Sequence, residues 1–155
     1  MLQLNFLEFV FRVIPESFMI TYGIILLSEE KNMSIWKYFL SGICMSINAF
    51  CVRLLPISFG VHIIINIILD ILIITFIRIK LIKAISSPLT MFLILSLSEF
   101  INIYVLGLMN IDFNTESINI FKKLLLGIPS LIIMVVFILI KLLLKKKARK
   151  EYVNY

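Results

Sequence analysis

Long apolar runs separated by short polar stretches organise this chain. A helix of about 20 apolar residues spans the roughly 30 Å hydrocarbon core of a bilayer. Four runs reach that length, at Ile35–Leu55, Ile57–Ile77, Leu89–Met109 and Ile118–Leu144. A fifth region, Leu4–Leu27, is interrupted by Glu8, Arg12, Pro15 and Glu16, and its unbroken part, Ser17–Leu27, is too short to cross alone. We read it as a spanning helix bent at Pro15, with an amphipathic helix lying in the interface as the alternative. A signal peptide fits poorly, because the start lacks basic residues and no small-residue cleavage site follows. The expected fold is an all-α integral membrane protein. A single bundle of five transmembrane helices covers 1–144, and a basic cytoplasmic tail covers 145–155. Pro88, after Ser86 and Ser87, is predicted to start the fourth helix, and Pro129, after Gly127, to kink the last.

Composition strengthens the membrane reading. The 155 residues are 61% hydrophobic and only 15% charged, against about 45–50% and about 25% in soluble domains. They leave no room for a membrane anchor beside a catalytic domain of about 100–150 residues. The net charge of +6 comes largely from Lys141, Lys145, Lys146, Lys147, Arg149 and Lys150. A cluster just beyond an apolar helix reads as a cytoplasmic stop and a contact for anionic headgroups or for a partner protein. Nucleic-acid binding is disfavoured, because no folded domain adjoins the basic run.

With five spans, Lys31, Lys37, Arg78, Lys80, Lys83 and the six tail residues fall on one side, and Arg12, Arg53, Lys122 and Lys123 on the other. Positive-inside then places the N-terminus outside and the C-terminus in the cytoplasm of a multi-pass cell-membrane protein. Trp36, Tyr38 and Tyr104 suit interfacial positions. Asn110 to Ser117 forms a polar outer loop, and residues 56–60 a tight one.

Ionisable residues inside a span cost at least about 2.5–3.5 kcal/mol each on insertion scales, so they are expected to face inward and find partners. Glu8, Arg12 and Glu16 are spaced by four, as are His62, Asn66 and Asp70. Each set shares one helical face. Ser96, Glu99 and Asn102 form a third stripe. Ser41, Cys44, Asn48 and Cys51 suit a seam of small and polar residues, with both cysteines as buried packing groups and Arg53 closing the outer end. Helical rise puts Glu16, Asp70 and Glu99 about 14–17 Å below the outer surface. These stripes predict a polar network opening outward, with Arg12, Arg53, His62, Lys122 and Lys123 towards its mouth and acids at its floor. Two readings of it stay open. The groups satisfy one another and fix helix register, or Arg12, Glu16, Arg53, His62, Asn66, Asp70, Glu99 and Asn102 form a ligand or ion pocket.

Enzymatic chemistry lacks its parts. The sequence has no P-loop, GxSxG, HExxH or CxxCH motif. No cofactor is expected. One histidine without clustered partners does not make a metal site.

The stretch Val52-Arg53-Leu54-Leu55-Pro56-Ile57-Ser58-Phe59-Gly60-Val61-His62, with Pro15-Glu16-Ser17 and Tyr22-Gly23 before it and Glu99 and Gly127-Ile128-Pro129 after it, resembles the N-terminal membrane-sensor region of clostridia-like, Gram-positive sensor histidine kinases of the Spo0B/GHKL type. The resemblance implies a cytoplasmic C-terminus and a role in signal transduction. Such kinases continue into a phospho-acceptor histidine and an ATP-binding half where this chain stops at Tyr155, and His62 cannot replace that phospho-acceptor from the membrane side. The expected function is therefore a non-enzymatic sensor or regulatory subunit. It detects a small ligand, ion or peptide outside and signals to a membrane or cytoplasmic protein. A small transport or channel subunit using the intramembrane carboxylates, as a homo-oligomer, is one alternative. A structural or assembly subunit of a membrane complex is another.

Overall fold

The computed structural model describes Leu7 and residues 9–30, 34–55, 59–109 and 120–153, with side chains at all of these except 59, 120–124 and 148–153. Every element among the described residues is helical: α1 (Phe9–Ser28), α2 (Ile35–Leu54), α3 (Phe59–Phe76), α4 (Leu81–Leu108) and α5 (Ile120–Val153). Four segments are long and apolar enough to cross a membrane, Phe9–Ser28, Ile35–Leu54, Leu81–Leu108 and Leu125–Lys147. This is a helical membrane bundle.

The interrupted first segment is one of those four. Its helix continues through Arg12 and Glu16 and so reaches spanning length. The first turn, Phe9–Val13, winds as a π-helix, and Pro15 follows at the start of the regular α-helix. Pro15 has no amide to give the ordinary i→i−4 bond, and the wider winding lies immediately before it. The cleanest apolar run gives the shortest helix instead: α3 has 18 residues, about 27 Å at the usual rise.

Pro88 does not start its helix. α4 begins at Leu81 and carries Pro88 inside it over 28 residues. Pro88 lies on the buried stripe Ala84, Ser87, Pro88, Met91, Ser98, Asn102 and Leu106. Packing along that whole stripe offsets the one hydrogen bond that proline removes, as membrane helices commonly allow. The connections close on single left-handed residues, Glu29 after α1 (φ 58°) and Arg78 between α3 and α4 (φ 72°).

α1 to α4 form a ring in which each helix touches the next and α4 closes on α1, while the diagonal pairs do not meet. α5 lies outside the ring against α4 and, less extensively, α1. Lys37, Arg78, Lys80, Lys83, Lys141 and Lys145 gather at one end of the bundle, here the basic end. The half nearest it is apolar, with Ile24, Met45, Ile74, Ala84, Met91, Met134 and Ile138 buried together. Two glycines set its close approaches. A Cβ on Gly42 would lie 2.8 Å from the Phe18 ring, and one on Gly23 would overlap the Met91 side chain. Outward-facing residues such as Ile82, Phe76 and Trp36 are almost fully exposed, which suits contact with lipid.

Hydroxyl groups are satisfied locally. Thr21, Ser28, Ser41, Ser46, Thr75, Thr90, Ser98 and Ser130 each donate to a carbonyl three or four residues back. Where no water is at hand, this removes the cost of an unpaired hydroxyl.

Candidate functional site

The half of the bundle away from the basic end holds the polar residues, in two separate groups. The first centres on Arg12. Its Nη2 lies 3.3 Å from Glu99 Oε1 on α4, and its Nε lies 3.9 Å from Glu16 Oε2 one turn further along α1. Its guanidinium rests on α5 at Gly127, where an added Cβ would stand 3.4 Å from Cζ. One side chain thus joins three helices. One turn beyond Glu99, Asn102 donates from Nδ2 to the carbonyl of Leu126 at 2.9 Å, a second tie between α4 and α5. Glu16 and Asn102 are buried, whereas the Glu99 side chain is 42% exposed. Among the described residues Arg12 Nε and Asn102 Oδ1 have no hydrogen-bond partner.

The second group joins α2 to α3. Asn48 Nδ2 donates to Asp70 Oδ1 at 2.9 Å, and Asp70 is 5% exposed. Among the described residues no lysine, arginine or histidine lies within ion-pair distance of Asp70. Asn66 and His62, one and two turns back along α3, are half-buried, with Oδ1 and Nδ1 lacking partners among the described residues. Because α1 and α3 are diagonal across the ring, the two groups do not merge into the single network that the stripes predicted.

Other expectations change with packing. Arg53 is exposed at the end of α2 and makes no ion pair among the described residues, although its charge acts on Glu16. Cys44 is half-buried and Cys51 exposed, so Cys51 is not a packing residue. The buried face of α2 runs instead through Ser41, Gly42, Met45, Ser46 and Val52, a different phase from the proposed seam. Beside Glu99 on α4 the buried serine is Ser98, whereas Ser96 is exposed. Tyr38 is half-buried, donating to the Phe18 carbonyl at 3.2 Å and meeting the rings of Phe18, Tyr22 and Phe39. It clasps α1 to α2 more than it marks an interface. Trp36 and Tyr104 stay exposed. Glu8 and the loop Asn110 to Ser117 lie outside the described residues, as do the side chains of Lys122, Lys123, Arg149 and Lys150. Lys145, Lys146 and Lys147 are exposed.

Two contacts were not read from the sequence: that of Gly127 with the Arg12 guanidinium, and that of the Leu126 carbonyl, which accepts from Asn102. The only signal for them was the Gly127-Ile128-Pro129 break in an otherwise apolar run. No group of three His, Cys, Asp or Glu suited to a metal occurs among the described residues. Two grooves, both mainly apolar, flank α5. One, of about 470 Å³, lies between α1, Tyr38 of α2 and α5; another, of about 250 Å³, lies between α1, α4 and α5. Neither is lined by a member of the two polar groups. Chemically, the first group can hold or exchange charge, and the second presents a buried carboxyl beside a neutral amide. No family model matches the chain, and no curated protein or solved structure matches it either.

Proposed function

We propose that this protein is a non-enzymatic sensor or regulatory module of the cell membrane, crossing it five times with the N-terminus outside and the basic tail in the cytoplasm. The lysine and arginine distribution supports this orientation. A slightly short α3 crosses with modest local thinning of the bilayer. The observation that carries the reading is the Arg12 contact at Gly127. It falls two residues before Pro129, on a helix that runs on without interruption to Val153. α5 is 34 residues long, about 51 Å by its rise. A pull at its Arg12 contact therefore reaches the tail as a change in helix angle.

Two carboxylates share the Arg12 guanidinium, so a small cation or a cationic peptide group arriving from outside competes with Arg12 for Glu16 and Glu99. Released from them, Arg12 shifts against Gly127, and α5, with Pro129 inside it, re-aims the tail towards its partner. The resemblance to kinase membrane-sensor regions favours a signalling protein as that partner.

The test is a spin-label distance between Leu27→Cys and Leu144→Cys in nanodiscs, in a background with Cys44 and Cys51 replaced by serine. Arg12→Gln, which imitates the released state, is expected to change the distance distribution; an unchanged distribution sinks the reading. The burial of Asp70 beside only a neutral amide favours one second reading, a transport or channel subunit. Ion flux in vesicles that Asp70→Asn abolishes would establish it.

A further inference from the structure

At the basic end, α5 meets α1 and α4 across the 250 Å³ groove, whose walls include Gly23, Leu27, Met91, Ile94, Phe137 and Lys141. Because Gly23 has no side chain, Met91 lies close against α1 and forms the groove's floor. The wall is apolar except for Thr90, whose hydroxyl donates to the Ser86 carbonyl, and Lys141, towards the tail.

Positive charge gathers at that end. Lys83 donates to Glu29 Oε2 at 3.0 Å, and the charges of Lys145 and Lys141 also act on Glu29. Together with that hydrogen bond they hold its carboxyl below the ordinary value of 4.5. One ammonium group thus pairs with Glu29 while two more act on it from further away, and positive charge remains in excess even if the neighbouring Glu30 is counted. Among the described residues Lys141 and Lys145 have no ion-pair partner.

We propose that this groove is a binding site for one anionic phospholipid, its acyl chain lying against Met91 and Ile94 and its phosphate held by Lys141 and Lys145. An apolar trough that opens to the bilayer and ends in surplus cations matches both halves of such a lipid, and neither a zwitterionic lipid nor a soluble anion matches both. The site stands apart from the Arg12 group and does not depend on the sensing proposal.

Native mass spectrometry of the full chain in mild detergent tests it, with an equimolar mixture of phosphatidylglycerol and phosphatidylcholine of identical acyl chains. Wild type is expected to retain one phosphatidylglycerol in preference. Lys141→Gln and Lys145→Gln should each lower that preference about fivefold, the contribution of one lysine near an anionic surface. Glu29→Gln should raise it by removing a competing carboxylate. Ile94→Trp, which fills the trough, should abolish retention of both lipids. The lysine variants keep the test decisive if the tryptophan variant fails to fold. The proposal falls if Lys141→Gln leaves the ratio unchanged. It also falls if inorganic phosphate displaces the adduct, or if a dimer mass appears in place of a lipid adduct.

Discussion

Two carboxylate sites in one bundle are held in opposite ways. Glu16 and Glu99 face a guanidinium, whereas Asp70 faces only the amide of Asn48. A charge-compensated site depends on its cation, because removing the cation strands like charges in a poorly solvating medium. A carboxyl paired with a neutral amide makes a hydrogen bond that another neutral group can copy. The first site therefore ties α1, α4 and α5 together through one residue, and the second joins α2 to α3 with less at stake.

The comparison is broken most strongly at Arg12. Arg12→Ala is expected to cost about 3 kcal/mol, the low end for breaking a buried ion pair because Glu99 is partly exposed. Unfolding of the micelle-embedded protein by a denaturing detergent measures it. Next comes Asn48→Leu, which leaves Asp70 without its donor and should cost about 1–3 kcal/mol by the same titration. Asp70→Asn keeps the shape and a hydrogen bond, and should stay within about 1 kcal/mol of wild type. An Asp70→Asn loss as large as that of Arg12→Ala would erase the contrast between the sites.

The smallest effect lies at the exposed Lys83–Glu29 pair, outside both sites. Glu29 is held below its ordinary value of 4.5, so its contribution is complete above that pH and is lost as pH falls through its lower folded-state value. A pH series should show wild type losing more stability in this acid window than Glu29→Gln does.

The apolar helical bundle was legible because a bilayer imposes a length and a composition that any apolar run displays, although the run at 57–77 gives a helix shorter than the four of spanning length. Helix starts were less so. Pro88 reads as an N-terminal signal in water, yet burial of its whole stripe lets α4 begin seven residues earlier, at Leu81. Within one helix, spacing by four correctly placed Arg12 beside Glu16. Phase between helices was not encoded so simply. The choice of Ser98 over Ser96 depends on how α4 rotates against its neighbours, and the pairing of Asn48 with Asp70 depends on how far α3 slides along α2. The contact of Gly127 with Arg12 was missed for the same reason, since it joins two helices at positions 115 residues apart.

The account rests on Arg12 and Glu99 acting as a pair across α1 and α4, and a double-mutant cycle measures that directly. Arg12→Met, Glu99→Gln and the double variant are compared with wild type by detergent-induced unfolding in micelles. A coupling of about 1 kcal/mol or more, with the double variant losing less than the sum of the single losses, is the predicted result. Additive losses would contradict it.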